Sequence, residues 1–394
     1  MTLPRLFLKP GREKSLLRRH PWIFSGAVER IEGDVEPGGE VLVADAKGKN
    51  LAVAGYSPAS QIAARVWSFD PEETVDTAFF RKRILAAFDY RRTLGLMEPG
   101  GGCRLIFSEG DALPGVIADR YGEFAVVQFL SAPADRYREE IADELMAAGV
   151  KGVFERSDAS VRRKENLPEL SGMMRGVELP AEIVVDEAGD RFAVDVRHGQ
   201  KTGFYFDLRD VRQTVRLLAR GRRVLNAFSY TGAFGVAALK AGARSVLNID
   251  SSRPALRAAE RNYELNGLSE PECVCADVFD ELRKRVAANE KYDFVILDPP
   301  KLVASQRDLV RGCRAYQDLA RLGFQLTAPG GFMLNLSCSG LMTMELLEKV
   351  TASAVLESGV SARLAGTVRQ AADHPVDTAV PEGAYLKGRL NFVS

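Results

Sequence analysis

Short apolar runs set off by turn residues dominate the first part of the chain. Val41-Leu-Val-Ala-Asp45, Asn50-Leu-Ala-Val-Ala-Gly55 and Ile62-Ala-Ala-Arg-Val-Trp67 predict strands, divided by Ala46-Lys-Gly-Lys49 and Tyr56-Ser-Pro-Ala59. They imply a small β-rich module ending near Asp70. From Phe79 to Leu94 the spacing becomes helical, with Ile84, Leu85 and Phe88 apolar and Arg81, Lys82, Arg83, Arg91 and Arg92 on the polar side. Glu98-Pro-Gly-Gly-Gly102 breaks the chain. Strand-like runs at 103–107, 115–119 and 124–130 follow, then a helical stretch at 134–148 and a strand at 152–156. This middle segment, about 71–180, reads as a compact α+β unit.

The pattern changes again from Ala181. A hairpin-like stretch (181–186, then 190–197) precedes five apolar runs: 223–227, 245–250, 272–276, 293–298 and 331–337. Helical lengths lie between them, notably 253–266 and 309–326. Strands separated by helices imply crossover units and a mainly parallel, doubly wound α/β sheet over 181–394.

Composition narrows the class. At 394 residues, with 46% apolar and 27% charged residues, the chain has the make-up of a globular protein of two or three domains, not of a disordered or fibrous one. No apolar run approaches the roughly 20 residues of a membrane span. Residues 1–10 lack a secretory signal pattern, and five irregularly spaced cysteines suit reduced thiols, so a cytoplasmic enzyme is expected. Lys plus Arg equals Asp plus Glu at 53 each, which speaks against indiscriminate coating of a polyanion. The balance is uneven along the chain. Residues 1–30 hold seven basic side chains against two acids, a local +5, while residues 31–60 sum to −3.

In a doubly wound sheet, ligands bind beyond the carboxyl ends of the strands. The first run leads into Asn226-Ala-Phe-Ser-Tyr-Thr-Gly-Ala-Phe-Gly235, a turn where glycine permits close backbone approach to a ligand. Only Gly232 and Gly235 occur there, so the dinucleotide pattern of a dehydrogenase is missing. Asp250 closes the second run, placed to accept hydrogen bonds from a nucleoside ribose, and Asp277 follows the third, within reach of an adenine amino group. Each acid taken singly also fits an ordinary helix N-cap. Asp298-Pro-Pro-Lys301 ends the fourth run, where the prolines stiffen the exit. Ser337-Cys-Ser-Gly340 ends the fifth and offers Cys338 as an accessible nucleophile. Cys103, Cys273, Cys275 and Cys313 read as apolar fillers, and no cysteine has a histidine nearby in sequence, so no metal site is expected. Gly199-Gln-Lys-Thr-Gly-Phe-Tyr-Phe-Asp207 mixes an amide, a hydroxyl, glycine and aromatics, which suits a lid over a nucleoside-type cofactor.

Five motifs occur in one order: Gln200–Asp207, Asn226–Gly235, Asp298–Lys301, Ser337–Gly340 and Arg369-Gln-Ala-Ala-Asp-His-Pro375. Together they resemble those of the S-adenosylmethionine-dependent large-subunit (23S) ribosomal RNA cytosine-5 methyltransferases of the methyltransferase I type. Tyr385-Leu-Lys-Gly388 is similar as well, and the resemblance spans essentially the whole chain. It implies a PUA RNA-binding domain at 1–70, a central α+β domain at 71–180 and a class I (Rossmann-like) methyltransferase domain at 181–394. It implies S-adenosylmethionine as cofactor, S-adenosylhomocysteine as product and large-subunit ribosomal RNA as partner, with no metal and no membrane. By the same comparison Gln200, Thr202, Gly203, Phe204, Asp207 and Arg209, with Phe228, Ser229, Tyr230, Thr231 and Gly232, hold the methionine end of the cofactor. Asp250 and Ser251 take the ribose, Asp277 and Val278 the adenine, and Asp298 and Pro299 complete the pocket. Cys338 becomes the nucleophile that adds to C6 of the target base, and Asp298 the group that holds that base.

Residue chemistry agrees with the resemblance. Cytosine C5 is a poor nucleophile until a thiolate adds at C6. The base must also be unstacked to be reached. Arg12, Lys14, Arg18 and Arg19, with Arg162, Arg163 and Lys164, form basic clusters suited to an RNA backbone, though charge runs also serve as plain solvated faces. Other RNA cytosine-5 methyltransferases carry a second cysteine in the Asp-Pro-Pro region, where this chain has Lys301. The group that removes the C5 proton is thus not identified by the sequence, nor is the choice between monomer and homodimer. Rival readings are a guanine N-methyltransferase of ribosomal RNA, which needs no cysteine, and a non-catalytic RNA-binding assembly factor.

Overall fold

The computed structural model describes residues 3–394. Their contacts divide the chain into two compact units that do not follow chain order. The first comprises residues 3–185, 194–206 and 372–383; the second comprises 186–193, 207–371 and 384–394.

In the first unit, six strands form one sheet in the order Trp22–Phe24, Ile62–Ser68, Asn50–Tyr56, Glu40–Ala44, Arg5–Leu8, Val28–Glu32. Pairing is antiparallel except between Arg5–Leu8 and Glu40–Ala44. Alternate residues point inward, as the two-residue period demands: Val41 with Val43, Ala52 with Ala54, and Ala64 with Val66 line one core with Leu6 and Leu8. The three strands before residue 33 are only three to five residues long, too short to show a period in sequence.

A second sheet orders Leu170–Gly176, Gly152–Ser157, Phe124–Phe129, Val116–Tyr121 and Gly102–Phe107. The helix Thr77–Thr93 packs on it, with Asp76 accepting from the Phe79 N–H at 2.9 Å as N-cap. The single helix expected over 134–148 is two, Ala132–Arg136 and Arg138–Ala147. Ser131 caps the first, and Tyr137, out of helical geometry at ψ 20°, separates them.

Two arginines, one expected on the polar side of a helix and one in a basic cluster, are interior. Arg91 is fully buried and donates to Asp111 (2.5 and 2.9 Å), the Arg104 carbonyl (2.7 Å) and the Asp373 carbonyl (2.6 Å). Arg162, expected to face RNA, is also fully buried. It donates to the carbonyls of Pro168 (2.7 Å) and Phe129 (2.5 Å) and pairs with Asp135 at 2.8 Å. It therefore holds the turn after Ser157 in place and has no surface to offer. Arg163 and Lys164 are exposed.

The second unit is built on a seven-stranded sheet: β1 (Arg223–Ala227), β2 (Ser245–Asp250), β3 (Glu272–Cys275), β4 (Tyr292–Leu297), β5 (Thr327–Ser337), β6 (Ala362–Arg369) and β7 (Lys387–Val393). The order is β3-β2-β1-β4-β5-β7-β6. The first five are parallel, and β7 runs antiparallel between β5 and β6. This is the doubly wound arrangement that the alternation of runs and helices implied. Helices α1 (Arg209–Ala219), α2 (Ala233–Lys240), α3 (Arg253–Leu265), α4 (Val278–Ala287), α5 (Leu309–Leu326) and α6 (Met344–Ser358) connect the strands. Ser252, Asp277 and Thr343 cap α3, α4 and α6. Leu225, Ile249, Val295, Leu297 and Met333 bury the sheet against Leu319, Leu322 and Phe324 of α5. Among the described residues no helix is long and apolar enough to cross a membrane, and no cluster of potential metal ligands occurs.

Removing one partner of a buried ion pair leaves an uncompensated charge, at a cost of about 3–5 kcal/mol. Arg91→Met is therefore expected to lower the stability of the first unit by that amount, read as a shift in the urea midpoint. A change within about 0.5 kcal/mol, the usual range for a surface substitution, would show that the Arg91 network is not structural.

Candidate active site

The site is assembled at the carboxyl ends of β1, β2, β4 and β5. After β1 the chain makes a tight turn in which Phe228 (φ 60°), Tyr230 (φ 48°) and Gly232 (φ 73°) all adopt left-handed backbone. Two of these are not glycine, so the turn stores strain that its surroundings must hold. The Ser229 N–H donates to the Ile249 carbonyl (3.0 Å), and the Tyr230 N–H donates to Asp250 Oδ2 (2.8 Å). Asp250 Oδ1 accepts from the Ser252 N–H at 2.8 Å. One carboxylate thereby ties the turn after β1 to the turn after β2. From the other side, Asn262 of α3 donates to the Thr231 carbonyl at 2.9 Å.

The two glycines serve packing. A Cβ on Gly232 would stand 2.9 Å from Cβ of Ala259, and one on Gly235 would stand 2.1 Å from Tyr263 Oη. Both contacts are with helix α3, which packs closely against the turn and the start of α2. Beneath the turn, Asn226 donates to Asn248 (2.9 Å) and Asn248 donates to Tyr263 Oη (2.9 Å), all three buried. Two buried oxygens at this strand exit, Asn226 Oδ1 and Ser229 Oγ, have no hydrogen-bond partner among the described residues. A buried acceptor left this way is costly unless a ligand or water completes it.

Asp277 is exposed and caps α4 by accepting from the Asp280 N–H at 3.0 Å. Val278 is buried, its side chain within the core, while Ser251 is exposed beside Asp250. The Phe228 ring meets Phe279 edge to face at 6.1 Å. Asp207 is buried and accepts from Tyr385 Oη, and Arg209 pairs with Glu187 at 3.5 Å. Gln200, Thr202, Gly203 and Phe204 belong to the first unit. There the Thr202 hydroxyl donates to Asp119 (2.5 Å), the Phe204 N–H donates to Tyr121 Oη (3.1 Å), and Gln200 accepts from Tyr205 Oη (2.5 Å).

The exits of β4 and β5 lie side by side. Leu297 is opposite Asn335, so Asp298 leaves β4 next to the last residues of β5. Pro299 is buried and Pro300 exposed. Ser337 and Ser339 are fully buried and share Tyr316 of α5: Ser337 Oγ donates to Tyr316 Oη (2.9 Å), which lies 3.1 Å from Ser339 Oγ. Burial pushes the Tyr316 phenol above the usual range, so it stays neutral. The Val303 N–H also donates to Ser339 Oγ (3.3 Å), fastening the Asp-Pro-Pro loop to the Ser-Cys-Ser loop. With both serines turned inward, Cys338 between them is half-buried. Cys103 is fully buried, and burial pushes the Cys273 thiol up to about 11 and raises that of Cys313.

Lys387, the first residue of β7, pairs with Ser337 across the ladder, is buried and donates from Nζ to the Ser339 carbonyl at 2.9 Å. Neither it nor Tyr316 was singled out from sequence as a site residue. A lysine opening an otherwise sheet-forming final run was the available signal for the first; Tyr316 gave none, lying on an ordinary helical face.

Comparison with known proteins agrees with this architecture. A family model for S-adenosylmethionine-dependent methyltransferases matches residues 167–369, and one for a PUA-like domain matches residues 6–69. The chain is 49% identical over 387 residues to the ribosomal RNA large subunit methyltransferase I of Yersinia pseudotuberculosis, with 98% of each chain covered. The Yersinia pestis protein of that name matches at the same identity and coverage. A solved structure from Streptococcus mutans, of a candidate SAM-dependent methyltransferase, shares the fold with a TM-score of 0.84 at 23% identity, over 99% of this chain and 100% of that one. A second solved structure with the same figures is of a candidate methyltransferase complexed with SAH. A methyltransferase match over more than half the residues and near-half identity end to end place this chain in the ribosomal RNA large subunit methyltransferase I family, S-adenosylmethionine-dependent enzymes with an N-terminal PUA-like domain.

Proposed function

We propose that the protein transfers a methyl group to C5 of a cytosine in large-subunit ribosomal RNA, with Cys338 as the nucleophile. The observation that carries this reading is the inward locking of Ser337 and Ser339, which leaves the cysteine between them at a strand exit beside Asp298. A guanine N-methyltransferase needs no such thiol.

The second unit has the groups to hold the cofactor. Asp250 is fixed by two backbone N–H groups and retains lone pairs for ribose hydroxyls, while Ser229 Oγ and Asn226 Oδ1 are buried acceptors awaiting donors. Asp277 and the Phe228–Phe279 pair stand beside the next strand exit, where adenine would be framed. Bound there, S-adenosylmethionine supplies an electrophilic sulfonium methyl. The protein's part is to make C5 reactive. Cys338 Sγ adds to C6, the ring electrons shift toward C5, and Asp298 hydrogen-bonds the N3/N4 edge to stabilise the charge that develops. After transfer the C5 proton is removed and the C6–S bond breaks, returning the thiolate.

RNA affinity is supported by the first unit. Arg12, Lys14, Arg18 and Arg19 are exposed, and a pocket of about 350 Å³ is lined by Arg12, Ser15, Leu16, Trp22 and Phe24. Phe24 is half exposed, a flat apolar group in the same pocket as Arg12 and suited to an unstacked base.

Cys338→Ala is expected to reduce methyl incorporation into ribosomal RNA lacking the modification to background, and to abolish the covalent adduct with RNA containing 5-fluorocytidine. Mass-spectrometric mapping of the RNA reads the first outcome and denaturing electrophoresis the second; full retained activity sinks the proposal. Asp250→Ala is expected to weaken S-adenosylmethionine binding roughly ten- to a hundredfold, since a hydrogen bond to a charged group is worth about 1.5–3 kcal/mol. Isothermal titration measures this, with the melting temperature as a control for folding.

A further inference from the structure

The inner face of the Ser-Cys-Ser turn is held by a cation. Lys387 enters the sheet opposite Ser337, is only 7% exposed, and its Nζ donates to the Ser339 carbonyl at 2.9 Å. That bond uses one of the three N–H donors of an ammonium and anchors the charge one residue from Cys338. A lysine this buried is costly unless a counter-charge stands close. No carboxylate among the described residues forms an ion pair with it. Burial pulls the ammonium below the usual lysine range, and the Cys338 sulfur is the group whose charge acts against that pull.

The other ionisable groups around Cys338 do not replace it. Tyr316 from α5 is engaged by Ser337 and Ser339 and stays neutral. Asp298, from the exit of β4, is an acid and disfavours a neighbouring anion. Arg369 of β6 pairs with Lys387 across the ladder, but its side chain is exposed to solvent.

We propose that the Lys387 ammonium is the charge partner of Cys338, holding the sulfur as a thiolate ready to attack. In this step the S–H bond of Cys338 breaks and its proton passes to solvent water, while Lys387 keeps its three N–H bonds and its charge, so a cation beside a neutral thiol becomes an ion pair. When the C6–S bond later breaks, the ammonium faces the same thiolate again. Lys387 thus acts through Cys338 as a positioning residue. The inference rests on Cys338 being the nucleophile, but its test does not depend on methyl transfer.

The test measures the rate of Cys338 alkylation by iodoacetamide against pH in the full-length protein, read by peptide mass spectrometry to separate the five cysteines. Lys387→Met and Lys387→Gln are compared with the parent; glutamine retains an N–H for the Ser339 carbonyl and serves if the methionine variant does not fold. Loss of the cation is expected to move the midpoint of alkylation upward by about one pH unit or more, roughly a tenfold drop in rate near neutrality. Lys387→Arg, which keeps a positive charge, is expected to recover most of that rate. An unchanged profile in folded Lys387→Gln overturns the proposal, as does an arginine variant that behaves like glutamine. If instead Cys338→Ala retains full methylation while the alkylation profile still shifts in Lys387→Gln, the ion pair stands and the nucleophile assignment fails.

Discussion

A strand buried on both faces has no solvent to satisfy a polar side chain, and β1 carries a buried asparagine next to its last residue. Asn226 meets this constraint by donating to Asn248 on β2, which donates in turn to Tyr263 on α3. One line of amides and a phenol therefore ties β1 to β2 and both to the helix over them. The glycines at 232 and 235 let α2 and its turn close onto that helix. This cross-tie supports from below the left-handed turn at Phe228 and Tyr230, which Asp250 and Asn262 clasp from the sides. The binding turn is thus a consequence of how polar groups are satisfied inside the sheet.

The opposite end of the site follows the same logic with different groups. Tyr316 takes the place of the tyrosine on α3, and Ser337 and Ser339 that of the asparagines. Hydroxyls instead of amides leave the loop joined to Val303 and so to the Asp-Pro-Pro exit. Two buried polar clusters, one on each side of β4, position two strand exits each.

Much of this was legible in the sequence where a regular period repeats. The alternation of apolar runs and helical lengths after residue 220 led directly to the parallel sheet, and strand ends pointed to Asp250, Asp298 and Cys338. Legibility failed where structure depends on distant partners. Strands Arg5–Leu8 and Trp22–Phe24 are too short for a period and exist through pairing with strands far along the chain. Arg91 and Arg162 look like surface charges because nothing local reveals their acceptors; Arg91 bonds the carbonyl of Asp373, 282 positions away. Strand β7 was missed because Arg389 and Asn391 interrupt its apolar residues, yet Asn391 is buried and hydrogen-bonded to Met333. Nor did anything local show that Gly232 and Gly235 also make room for Ala259 and Tyr263 of α3, which lie more than twenty residues further along the chain.

The end of β5 has an implication for how such a site can change. Ser337 closes the strand and Cys338 and Ser339 follow it, and the two hydroxyls bonded to Tyr316 set the place of the thiol between them. A single-residue slip would exchange thiol for hydroxyl without altering the composition of the loop. The atom proposed to react is in this sense selected by counting. Insertions or deletions near the end of β5 would be far more disruptive than many substitutions there.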